Sequence, residues 1–142
     1  MSHPEKPADR LQRLPLAESL GESVVGDVVS EADIRVLVDS FYDTILADDM
    51  LGPIFERHVQ DWSLHLPKMY RFWSTIVLRT GLYAGRPIEV HEALPNLTRA
   101  HFDRWIVLWE RTVTDVIHPD AHRAFMVSAR RMARSMASRL IA

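Results

Sequence analysis

The sequence predicts an all-α fold, and three observations carry that prediction. Apolar residues recur at helical spacing in four long segments. The breaks between those segments hold glycine, proline and cap-forming residues, and no segment sustains the period-two alternation of a half-buried strand. At 142 residues, 47% hydrophobic and 25% charged, the chain fits a single soluble domain built on one core.

Residues 1–29 hold Pro4, Pro7 and Pro15 among weakly periodic leucines and read as a flexible leader, so the folded domain is expected to span 30–142. Ser30 then offers a cap, with Asp33 three residues on, and Ile34, Leu37, Phe41, Tyr42 and Ile45 fall on one side of the helix that follows. "ADDMLGPIF" breaks this helix at Gly52 and Pro53. "DWSLHLPKMYRFWS" opens the next one no earlier than about residue 62, because Pro67 is tolerable only near a helix start. That helix runs to about Thr80 with His65, Met69, Phe72, Trp73 and Ile76 in one stripe. "GLYAGRP", 81–87, is a turn-rich connection, and "PIEVHEAL" is a short helical piece stopped by Pro95. From about Ala100 to Ile117, Phe102, Trp105, Ile106, Trp109, Val113 and Val116 share a face. Pro119 and Asp120 open the last helix, whose inner stripe is Phe125, Ala129, Met132, Met136 and Leu140.

Composition removes several function classes. A formal charge of −2 and a pI near 6.4 give no electrostatic case for nucleic acid, which needs a dominant basic face. The arginines of "SARRMARSMASR" interleave with Ala129, Met132, Ala133 and Met136 and read as the wet side of an amphipathic helix rather than a membrane-binding surface. No apolar run reaches the length of a membrane span, and the first thirty residues lack a signal-peptide pattern, so no membrane partner and a cytoplasmic location are expected. With no cysteine, disulfides, thiolate metal sites, iron–sulfur clusters and thiol nucleophiles are all excluded. Any metal must be held by nitrogen or oxygen.

Seven histidines sort by context. His3 lies in the leader, His58 in a loop, and His118 and His122 flank a proline, all of which favour solvated roles. His65, His91 and His101 remain. His65 and His91 sit on two helical pieces whose glycine-rich connection is long enough for the second to fold back opposite the first. Two imidazoles can then face each other across a slot lined by Phe41, Tyr42, Phe55, Met69, Phe72, Trp73, Trp105 and Trp109. Such a slot is flat, aromatic and nearly free of charge, which suits a large planar ligand. Zinc needs three or four converging polar ligands, and no HExxH or comparable spacing occurs. Haem suits the slot better. The competing reading is a haem-free helical interaction or sensor module in which the histidines and tryptophans are only core.

The segments "FYDTILADDMLGPIF", "DWSLHLPKMYRFW", "TGLYAGRPIEVHEAL" and "HFDRWIVLWERT" together resemble the group III truncated haemoglobins of bacteria, from about residue 30 to the C-terminus. The likeness lies in the order FY, LGPIF, WxxH followed by FW, YxGxPxxxH, and FxxW. It implies a truncated globin fold, a two-over-two helical sandwich around haem b. It also implies that His91 is the proximal ligand whose Nε2 binds the iron. By the same resemblance Tyr42, His65 and Trp105 form the distal ligand pocket, while Phe55, Met69, Phe72 and Trp73 supply the apolar wall around the cofactor. His101 falls well beyond the proximal position and is assigned to the surface or to a helix cap. Donors of this kind make charge-assisted hydrogen bonds worth about 1.5–3 kcal/mol to a ligand bearing partial negative charge, and slow its release. The resemblance and this polarity together point to dioxygen, nitric oxide or peroxide as partners. They favour redox chemistry on the bound ligand (nitric oxide dioxygenation or peroxide reduction) over oxygen delivery, with an electron donor to restore the iron and a monomeric protein. His65 and Met69 both leave the sixth coordination position open to a protein ligand.

Overall fold

The computed structural model describes residues 25–78 and 97–140, the last two by backbone only. Within them lie a helical turn at residues 25–28, α1 (Glu31–Leu46), α2 (Gly52–His58), α3 (Trp62–Leu78), α4 (Arg99–Val116), a 3-10 turn (Pro119–Ala121) and α5 (His122–Leu140). No strand occurs among the described residues. The predicted connection at 81–87 and the short helical piece bearing His91 lie outside them, as does most of the predicted leader.

Each helix start has a local cause. Ser30 closes a capping box on α1: its Oγ accepts from the Asp33 N–H at 3.2 Å, and its own N–H donates to Asp33 Oδ2 at 2.9 Å. The α2 helix corrects the expectation of a loop here. Gly52 and Pro53, read as breakers, are its first residues, because a proline in the first turn loses no intrahelical hydrogen bond. Asp61 opens α3 by accepting from the Ser63 N–H at 2.9 Å and the Ser63 hydroxyl at 2.6 Å. His118 Nδ1 accepts from the Asp120 N–H at 3.1 Å at the 3-10 turn, and His122 Nε2 donates to the Ile117 carbonyl, closing the corner between α4 and α5.

The helices pack as two pairs, α1 with α3 and α4 with α5, joined where α1 crosses α4 and α3 meets α5. This is the two-over-two arrangement. Phe41, Ile34, Leu37, Ile45, Leu108, Trp109 and Phe125 are each essentially sealed from solvent at its centre. The stripe expected on α3 holds through Phe72 and Trp73, but the buried face then passes to Ser74 and Val77, leaving Ile76 38% exposed. The turn of that face follows its neighbours. Ser74 Oγ donates to Glu31 Oε2 at 2.9 Å and the Tyr70 hydroxyl donates to Asp39 Oδ1, so α3 is drawn onto α1 along this edge. Burial, then the Asp39 hydrogen bond and charge, push the Tyr70 phenol up to about 12. Val25 and Val29, which the sequence reading places in the leader, are buried against this core, which therefore extends N-terminally past Ser30.

The α1–α2 corner is tight enough to constrain sequence. A Cβ on Gly52 would sit 2.7 Å from the Leu46 carbonyl oxygen, a backbone atom that cannot swing aside. Gly52→Ala is therefore expected to destabilise the fold by about 1–3 kcal/mol through overpacking, read as a lower denaturant midpoint. An unchanged midpoint would show that the corner is looser than this contact implies.

Candidate functional site

Where the two helical pairs meet, a cavity of about 480 Å³ opens. Every sequence-predicted site residue that lies among the described ones lines it: Tyr42 from α1, Phe55 from α2, His65, Met69, Phe72 and Trp73 from α3, and Trp105 from α4. His91 lies outside the described residues. The size falls in the range of small-molecule and cofactor pockets, and the walls are largely aromatic and aliphatic, with polar groups and the charged Asp61 and Lys68 set among them. Such a donor set fits haem. Among the described residues no group of three or more His, Asp or Glu side chains is arranged to hold a bare metal ion.

The polar groups are held by rings. Tyr42 meets His65 at 5.2 Å between ring centroids and 82°, Trp62 at 5.4 Å and 61°, and Phe55 at 5.7 Å and 63°. Trp62 in turn meets His65 at 5.4 Å and 88°. These edge-to-face contacts are each worth about 0.5–1.5 kcal/mol beyond simple burial, and they fix the planes of both polar side chains. Burial pushes the Tyr42 phenol well above its ordinary range, so it keeps its proton and stays a donor at any physiological pH. His65 Nε2 is shut off from bulk solvent within the same wall.

Trp105 is set by a second group of rings. Its indole stacks nearly parallel to Trp109, 5.8 Å away at 3°, and meets Phe41 edge-on at 5.6 Å and 87°. Trp109 is sandwiched in turn against Trp73 at 4.3 Å and 22°, and its Nε1–H donates to the Phe125 carbonyl at 3.3 Å. This corrects one expectation. Trp109 does not line the cavity but stands one layer behind it, fully buried, supporting both tryptophans that do. Its place in the stripe with Trp105 gave the right helix face and the wrong depth.

Of the other histidines, His101 takes the cap role expected of it, whereas His58 ends a helix rather than lying in a loop and His122 is part-buried on the Ile117 carbonyl rather than solvated. His101 receives the Thr98 N–H on Nδ1 at 2.9 Å, with the Thr98 hydroxyl 3.1 Å from the same atom, so it is a helix cap whose ring also borders the cavity. His58 is exposed at the end of α2 and borders the cavity as well.

Three contributions were missed in the sequence. Trp62 buttresses Tyr42 and His65 from outside the cavity lining, and its signal was the i, i+3 spacing to His65. From α5, Met132, Ala133 and Met136 form part of the wall, although the sequence placed the two methionines only on a generic inner stripe. Asp48, whose side chain is 6% exposed, accepts from Arg104 Nε and Nη2 on Oδ1 at 2.8 and 2.7 Å and from the Met50 and Leu51 N–H groups on Oδ2 at 3.1 and 3.0 Å.

Burial draws the Asp48 carboxyl upward, but the Arg104 hydrogen bond, the backbone donors and the guanidinium charge outweigh it and hold the group below the ordinary carboxylate range. A lowered folded-state pKa means that this stabilisation is fully present above the unfolded carboxylate pKa of about 3.9 and is lost as pH falls through the folded value. Denaturant midpoints measured from neutral pH downward are expected to fall more steeply below about pH 4 in the wild type than in Asp48→Asn. Parallel slopes would mean that the pair contributes nothing to the acid limb.

Comparison with known proteins agrees with this fold. A family model described as bacterial-like globin matches residues 24–138, a span that includes the buried Val25 and Val29. The group 3 truncated hemoglobin ctb of Campylobacter jejuni is 27% identical over 111 residues, covering 75% of this chain and 87% of that protein. The crystal structure of a group III truncated hemoglobin from Campylobacter jejuni superposes with a TM-score of 0.74 at 27% identity, covering 79% of this chain and 91% of that one. With a helical sandwich, an aromatic cavity between its layers and a family match across nearly all the described residues, the chain belongs to the bacterial-like globins and has the truncated globin fold.

Proposed function

We propose that the chain is a haem protein that binds dioxygen, nitric oxide or peroxide in the cavity and carries out redox chemistry on the bound ligand, rather than delivering oxygen. The observation that carries this reading is the convergence of Tyr42, His65 and Trp105 on one apolar cavity in a globin fold. Haem b, when bound, supplies the iron that coordinates the gas and exchanges electrons with it. His91 would be the protein ligand that holds the iron, through Nε2. Phe55, Met69, Phe72 and Trp73 line the cavity and would keep water from the cofactor. Tyr42 offers its hydroxyl, and Trp105 its indole N–H, to whichever atom of the ligand carries negative charge. His65 supplies a third polar group, able to hold or pass a proton according to its tautomer.

Three such groups around one small ligand favour slow release, which is poorly suited to delivery and well suited to chemistry in place. Redox chemistry of this kind would require an electron donor as a further partner. A monomer in the cytoplasm is the setting proposed for it, and no helix among the described residues is long and apolar enough to cross a membrane.

The absorption spectrum of the purified full-length chain, before and after dithionite, tests the proposal. A Soret band that shifts on reduction and again with carbon monoxide is expected. A colourless protein that gains no such band when haemin is supplied would favour the haem-free helical module instead.

A further inference from the structure

We infer that Asp48 and Arg104 are positioning residues that hold the cavity face of α4, carrying Trp105, at a fixed spacing from the corner between α1 and α2. The inference rests on the proposed use of Trp105 as a donor to bound ligand. A single carboxylate makes the connection. One oxygen, Oδ1, takes both Arg104 Nε and Nη2, while the other, Oδ2, takes the backbone N–H groups of Met50 and Leu51. Four donors therefore meet on one side chain from two parts of the fold far apart in sequence.

What each end of this connection carries gives it a bearing on the cavity. Arg104 is followed directly by Trp105, and Leu51, held by the same carboxylate, lines the cavity together with Trp105. The corner is itself rigid, since Gly52 lies against the Leu46 carbonyl with no room for a Cβ. Displacing Trp105 relative to Leu51 must therefore break charge-assisted hydrogen bonds or deform the corner.

Most exposed ion pairs contribute little to a fold. This one differs because the Asp48 side chain is almost wholly buried and every lone-pair direction it uses meets a donor. Lysine cannot reproduce the contact, because it has one ammonium where arginine presents two nitrogens to the same oxygen.

The test compares Arg104→Met, Arg104→Lys and the double variant Asp48→Asn/Arg104→Met with wild type, in the full-length chain. Two readouts are taken: the exciton circular dichroism of the stacked indoles, which needs no haem, and the oxygen and carbon monoxide dissociation rates of the haem-loaded protein. Arg104→Met is expected to weaken the indole couplet and to speed oxygen release about three- to thirtyfold, with a smaller change for carbon monoxide. Arg104→Lys should fall between, and the double variant should add little to Arg104→Met, since both remove one connection. A wild-type couplet and a wild-type oxygen rate in Arg104→Met, even with a lowered unfolding temperature, would reduce the pair to a merely structural role and overturn the inference. If Arg104→Met does not fold, Arg104→Lys decides by the same two readouts. If no variant, wild type included, binds haem, the proposed function fails while the couplet still decides the positioning claim.

Discussion

Replacing His91 with glycine is expected to empty the protein of haem, and added imidazole is expected to restore a bound spectrum by filling the space left behind. Among the described residues, the contacts of the other histidines support this, beside the YxGxPxxxH pattern. His101 has its Nδ1 committed to the Thr98 cap, His122 binds the Ile117 carbonyl, and His118 is half exposed and caps the 3-10 turn. His58 is exposed at the end of α2. His65 is in the cavity wall, but on α3 beside Tyr42, the polar side proposed for the ligand. Loss of the proposed proximal ligand should remove cofactor retention altogether, whereas His65→Gly should leave haem bound with altered ligand kinetics. Normal haem content in His91→Gly, with loss in His101→Gly, would overturn the assignment.

The next largest effect is expected on oxygen release. Tyr42→Phe deletes one hydroxyl and keeps the ring that meets Phe55, Trp62 and His65, so packing is nearly conserved. Trp105→Phe removes an N–H but also disturbs the stack on Trp109, which should lower stability by about 0.5–1.5 kcal/mol. A shared kinetic effect in two variants with such different packing consequences points to the lost donor. The variant lacking the stronger donor should release oxygen about ten- to 150-fold faster, the equivalent of about 1.5–3 kcal/mol for a hydrogen bond to a charged group. Carbon monoxide carries little negative charge on its outer atom and should respond far less. Stopped-flow displacement of both gases from wild type and the two variants makes the comparison. Equal acceleration of both would mean that the residues gate access sterically, and the argument for chemistry on the bound ligand would lose its support.

The reach of the sequence can be judged from particular residues. Apolar periodicity located α1, α3, α4 and α5 because each buries one stripe, and stripes are written into spacing. Periodicity does not say how deep a stripe residue sits. Trp105 and Trp109 share a face, yet only the presence of Trp73 on another helix puts Trp109 behind the cavity wall and Trp105 in it. Ile76 shows the same limit, because the buried face of α3 turns toward α1 at Ser74 and Tyr70, whose partners Glu31 and Asp39 lie on a different element.

Gly52 and Pro53 read as breakers for a chemical reason: glycine and proline disrupt a helix interior, but the preceding helix has already ended at Leu46, and in a first turn proline's missing N–H is harmless. Val25 and Val29 looked like leader because the strong cap at Ser30 marked a helix start, and a helix start is not a domain boundary. The Asp48–Arg104 pair was beyond reach, since neither residue is unusual until the fold brings them together.

The claim on which the rest depends is that haem occupies the cavity between the helical pairs, against Trp73 and Trp105. Titrating the full-length chain with haemin while recording indole fluorescence and Soret absorbance together tests it most directly. Saturable quenching of most of the tryptophan emission, reaching its end point at one haem per chain in step with the Soret band, is the predicted result. A Soret band that grows while the indole emission stays unchanged would place haem away from these tryptophans and contradict the site.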